Sequence, residues 1–258
     1  MLSAGMLAAC QPGGDAAADP TTPATAAGGG GAGGGGASAE CGGSADTLDG
    51  ALKVITGPIG CPGGVNTFWS QKLGSGWTVP RFIEYHDGDI PQDECGAQSR
   101  DPDDFASNAF YCSLDDTVAY SVEFMAELSK QDPSYPMLVL MHELGHRVSA
   151  LTDKQGVVSR SEENQADCLA GSEAKFTHDA GRFPMANALE GIPLFFQLGD
   201  GGGAWLSFGE PNADPEAHGN PSQRTAAAVL GYTKGIDTCF KIGQSADGGI
   251  SLTDSLFG

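Results

Sequence analysis

The chain has 258 residues and carries 33 Asp plus Glu against 13 Lys plus Arg, a formal net charge of −20. Such a charge repels nucleic acid and gains nothing at an anionic lipid surface, so polyanion binding is excluded and the acidity reads as a solubility device. With no run of 18 apolar residues, the folded part is not expected to span a membrane.

Residues 1–10 end in Leu7-Ala8-Ala9-Cys10, which resembles the lipobox where bacterial lipoproteins are cleaved and acylated. Cys10 is therefore the expected lipidation site, and the membrane is expected as a partner only through that anchor. Residues 11–46 are mostly Gly, Ala, Pro, Thr and Ser, including Gly28-Gly29-Gly30-Gly31. They have little apolar surface to offset the entropy of ordering, so they read as a disordered tether spanning roughly 30 Å. Residues 47–258 remain for one domain with its own core.

Within that domain, the stretch from Thr47 to Leu73 carries scattered apolar positions such as Leu52, Val54, Ile55, Phe68 and Trp69. Residues 80–86 alternate as a strand ending at Asp87-Gly88, followed by a polar loop over 89–104. Residues 109–112 and 117–122 read as two short strands, the second expected to form a sheet edge on which an extended peptide can pair. A short helix places Phe124, Met125 and Leu128 on one face. Ser134-Tyr135-Pro136 then opens a helix whose first residues, Met137-Leu138-Val139-Leu140-Met141, are apolar all round, so it must run through the interior. A second helix starts at Ser159 or Ser161 and continues to about Phe176, and a third covers 184–198 before Gly199-Asp200-Gly201. A last helix runs Pro221–Lys234. Strands come early and helices late, which gives an α+β class.

The interior helix carries His142-Glu143-Leu144-Gly145-His146. Histidines four apart on a helix share a face and can share a metal, and zinc suits two neutral imidazoles plus a third protein ligand. Glu143 lies beside that face, able to act as general base without occupying the metal. A third ligand from His at 152 is excluded, because that position is Thr152. Glu163-Asn164-Gln165-Ala166-Asp167 again sets two carboxylates four apart. The natural assignment makes Glu163 the ligand and Asp167 the acceptor that orients one histidine. An Asp ligand, as in aspzincins, is the rival arrangement, and Glu162 is expected to face solvent.

Seven cysteines are present with no Cys-x-x-Cys spacing, so a thiolate metal site is not expected. Setting Cys10 aside leaves six, a number suited to disulfides in an oxidising, extracytoplasmic compartment. The expected pairs are Cys95–Cys112, bracketing the polar loop, and Cys168–Cys239, pinning the last helix beside the metal helices. Their closure contributes on the order of 3 and 4 kcal/mol in the chain-entropy account. Cys41–Cys61 follows by subtraction, and a free core thiol at Cys168 is the alternative.

Over roughly residues 68–240 the chain resembles the bacterial neutral zinc metallopeptidase family, which pairs a His-Glu-x-Gly-His helix with Glu-x-Gln-Ala-Asp-Cys-x-Ala-Gly. The matching residues are His142-Glu143-Leu144-Gly145-His146 and Glu163-Asn164-Gln165-Ala166-Asp167-Cys168-Leu169-Ala170-Gly171. Phe110-Tyr111-Cys112, His218-Gly219, Gln223-Arg224, Gly231-Tyr232, Gly235 and Cys239 extend the likeness. The resemblance implies a zincin-like fold with a small sheet, an active-site helix and a two-His, one-Glu zinc site. Arg147 departs from it, standing where many zinc peptidases have an uncharged residue.

The expected activity is Zn2+-dependent hydrolysis of peptide bonds in a peptide or protein substrate by a monomeric, secreted or lipid-anchored enzyme. A zinc amidase acting on cell-wall material and an inactive surface binding module are the alternatives. His218, ahead of the last helix, is the candidate donor to the oxyanion of the tetrahedral intermediate, a role worth roughly 3 kcal/mol. Its alternative is a ring that hydrogen-bonds backbone at the helix start.

Overall fold

The computed structural model of the chain describes residues 41–99, 101–183 and 221–245. The first apolar stretch forms two helices, α1 (Leu48–Thr56) and α2 (Val65–Leu73), which bury Val54, Ile55, Phe68 and Trp69. Thr47 caps α1 by accepting the Gly50 N–H, one of the amides a helix start leaves unpaired. Residues 41–46, which composition assigns to the tether, pack onto this unit. Cys41 is bonded to Cys61, Ala45 is fully buried, and Arg182 donates to the Gly42 and Gly43 carbonyls. Composition is blind to such anchoring, because the partners come from far along the chain.

Three strands follow: β1 (Arg81–Tyr85), β2 (Ala109–Cys112) and β3 (Thr117–Ser121). Their order is β1-β3-β2, with β1 parallel and β2 antiparallel to β3. The strand expected at the sheet edge, β3, is thus the central one, and all five of its residues are buried. Its place is set by β1, which pairs from more than thirty residues upstream and leaves no local signature in the β3 sequence. The polar loop between β1 and β2 contains the short helix α3 (Glu94–Gln98), tied to the end of β2 by Cys95–Cys112.

The second half is helical: α4 (Val122–Gln131), α5 (Tyr135–Leu151), α6 (Ser159–Asp179), α7 (Pro221–Lys234) and α8 (Ile236–Gly243). The class is α+β, and no helix among the described residues is long and apolar enough to cross a membrane. The expected helix over 184–198 lies outside the described residues. Every residue of α5 from Tyr135 to Ser149 is buried, as its uninterrupted apolar start requires. Helix α6 packs between α5 and α7, and Cys168–Cys239 joins it to α8.

Two glycines permit these close crossings. A Cβ on Gly145 of α5 would meet the Ala166 Cα of α6 at 2.8 Å, and one on Gly231 of α7 would meet the Cys168 carbonyl oxygen at 1.7 Å. Both obstacles are backbone, which a rotamer change cannot clear. Gly231→Ala is therefore expected to destabilise by more than the roughly 1–3 kcal/mol usual for overpacking. Denaturant unfolding of the two proteins checks this, and a cost under about 1 kcal/mol would show that the α6–α7 crossing is looser than described.

Beneath α2 lies a fully buried carboxyl, Glu173 of α6, which accepts the Trp69 indole N–H at 2.7 Å through Oε1. Its Oε2 has no hydrogen-bond partner, and burial pushes its pKa well above the ordinary range against the weaker pull of Trp69. A carboxyl raised in the fold supports stability while protonated. That contribution is complete below the unfolded value near 4.5 and is lost as pH climbs through the folded value. Glu173→Gln keeps an acceptor for Trp69 and cannot ionise. It should melt above the wild type at about pH 8 and lose that advantage at about pH 4. An advantage independent of pH would show that Glu173 is not held neutral.

Candidate metal centre

Helices α5 and α6 carry the site, and their crossing at Gly145 and Ala166 brings one face of each together. His142 and His146, one helical turn apart, direct both Nε2 atoms to one point, 3.1 Å from each other. Glu163 on α6 completes the set, with Oε2 3.3 Å from His142 Nε2 and Oε1 3.5 Å from His146 Nε2. These three residues form a cluster able to hold a metal ion, the single such group among the described residues. The spacing has a simple reading. A tetrahedral ion with bonds of about 2.0–2.1 Å sets its ligand atoms roughly 3.3 Å apart. With one ligand atom from each residue, the three lie within 4.8 Å of one another, and two imidazoles with a carboxylate fit zinc in donor type.

The outward nitrogens are held as well. His142 Nδ1 donates to Asp167 Oδ1 at 2.7 Å, so its Nε2 presents a lone pair to the site. His146 Nδ1 lies 3.4 Å from Glu162 Oε1. Here the structure corrects the sequence reading, since Glu162 was expected to face solvent. It lies against His146 and also accepts the Gly156 N–H, because the α5–α6 connection folds back under the first turn of α6. Asp167, one turn after Glu163, lies against His142.

Glu143 lies beside the cluster, and its Oε2 accepts the Tyr111 backbone N–H of β2 at 2.9 Å. Burial raises its pKa, partly countered by His142 and His146, which moves the carboxyl toward the range where a base works near neutrality. Burial works against the Glu163 carboxylate too, but the two rings outweigh it and hold that group well below the usual range. For both histidines burial disfavours the charged form, yet Asp167 beside His142 and the Glu162 and Glu163 carboxylates beside His146 carry them upward. The site is a buried cluster of carboxylates and imidazoles.

Two arginines frame it. Arg147 points away from the ligands, forks Asp116 at the β2–β3 turn and stacks 4.2 Å over Trp77, which accounts for a charge at that helix position. Arg224 of α7 points inward, with Nε 2.7 Å from Asp167 Oδ2 and Nη2 2.9 Å from Oδ1. Sequence reasoning gave Arg224 no role. Its signals were a cation in the first turn of the Ala-rich helix and the Gln223-Arg224 likeness. His218 and Cys10 both lie outside the described residues, while Cys95–Cys112, Cys168–Cys239 and Cys41–Cys61 are all formed. Three disulfides suit an oxidising, extracytoplasmic compartment.

Compared with family models, with curated proteins and with solved structures, the chain gives no match.

Proposed function

We propose that this chain is a zinc-dependent metallopeptidase of the bacterial neutral type, with a zincin-like active-site helix, working outside the cytoplasm. The observation that carries the reading is the convergence of His142 Nε2, His146 Nε2 and the Glu163 carboxylate, ligand atoms within 4.8 Å of one another, with Glu143 beside them. Charge supports it independently. Glu143, Glu163 and Asp167 are buried carboxylates gathered around two imidazoles, and Arg224 forks Asp167, so a cation held by Glu163 and the two rings would offset the cost of burying that carboxylate.

His142, His146 and Glu163 would hold the ion. Zinc in such a set polarises a carbonyl and acidifies water. Glu143, kept in place by the Tyr111 amide, would take the proton of the attacking water and return it to the leaving amine. Asp167 and Glu162 would hold the two rings by Nδ1, leaving each Nε2 for the ion. Among the described residues β2 is an edge strand lying against α5, and an extended peptide would lie along it rather than along β3. The N-terminal Cys10 supplies the lipid anchor in this reading.

Digestion of an unbiased peptide library, read by mass spectrometry, tests the proposal. Cleavages that need zinc, stop on chelation and disappear in Glu143→Gln are expected. A zinc-loaded wild type that cuts no peptide would contradict it.

A further inference from the structure

We propose that Arg224 is a positioning residue of the metal centre, which locks Asp167 in the one orientation that serves His142 and keeps it off the metal. The inference rests on the zinc reading above. Asp167 stands one turn after Glu163 on the same helix, so a second carboxylate able to reach the ion sits next to the intended ligand. Both of its oxygens are, however, already committed. Oδ2 accepts Arg224 Nε at 2.7 Å, while Oδ1 accepts Arg224 Nη2 at 2.9 Å and His142 Nδ1 at 2.7 Å. A planar guanidinium gripping a carboxylate through two parallel bonds fixes its plane as well as its place. Rotation of Asp167 toward the ion would break all three contacts at once.

Arg224 also touches the centre directly. Its Nη2 lies 3.4 Å from His142 Nδ1 and 3.6 Å from Glu163 Oε2, and its side chain is fully buried. A guanidinium is costly to bury without such partners. Because Arg224 comes from α7, the last long helix must dock on α6 before Asp167 is held, which joins completion of the fold to completion of the site.

Lysine keeps the charge but cannot make the fork, so Arg224→Lys separates positioning from charge. Zn2+ and Co2+ dissociation constants by chelator competition, with the visible spectrum of the Co2+ form, provide readouts independent of activity. Arg224→Lys is expected to weaken both metals about 10- to 100-fold and to shift the Co2+ bands, as Asp167→Asn should. Combined with Asp167→Asn, it should add less than about threefold, because Arg224 acts through Asp167. If Arg224→Lys does not fold, Asp167→Asn/Arg224→Gln is read instead and must match Asp167→Asn alone. Wild-type affinity and spectrum in a folded Arg224→Lys, or losses that multiply, overturn the proposal and leave the zinc reading intact. A wild type that binds neither metal overturns both.

Discussion

Replacing Glu143 by Gln is expected to cut peptide hydrolysis by about 10²- to 10⁴-fold while the protein keeps its zinc. The amide preserves the size of the side chain and its acceptor toward the Tyr111 N–H, so the edge strand β2 and helix α5 stay in register. What is lost is the ability to accept a proton from water. Because Glu143 is no ligand in this account, zinc affinity should change little. The measurement is turnover of a cleaved library peptide at matched zinc occupancy. Near wild-type turnover would remove Glu143 from the mechanism, and loss of zinc together with turnover would make it a ligand.

Removing a ligand should have the opposite signature. Glu163→Ala is expected to lose zinc and, with it, the stability that zinc confers. Saturation at about a hundredfold above the dissociation constant contributes about 2.7 kcal/mol to a protein that binds only when folded. Chelation of the wild type should therefore lower its unfolding free energy, and Glu163→Ala should be indifferent to chelator. Glu162→Ala should stay responsive, since Glu162 reaches the ion only through His146 at 3.4 Å. Denaturant unfolding with and without zinc checks all three proteins. A Glu163→Ala variant still stabilised by zinc would pass the ligand role to another group, Asp167 being the nearest carboxylate on α6.

The residues that could be read from the sequence are those whose geometry is local. His142 with His146 and Glu163 with Asp167 are each one helical turn apart, and the helical period alone puts each pair on one face. The strand over 80–86 was legible from alternation, and residues 109–112 and 117–122 read as short strands where β2 and β3 form. What the sequence hid is non-local. The central position of β3 depends on β1, and the sheet order is invisible until the parallel pair forms. Glu162 was misplaced because helical angle says nothing of a connection folding back onto the turn, as Gly156 does here. Arg224 stands 57 residues after Asp167, and no periodicity spans that gap. The anchoring of residues 41–46 by Arg182 and Cys61 belongs to the same class.

Zinc stoichiometry by native mass spectrometry decides whether His142, His146 and Glu163 together hold one zinc ion. After equilibration with zinc and removal of the excess, the wild type and Glu143→Gln should each carry a single zinc per chain, and Glu163→Ala should carry none. A wild type that retains no zinc, or a Glu163→Ala variant that retains as much as the wild type, would contradict the account.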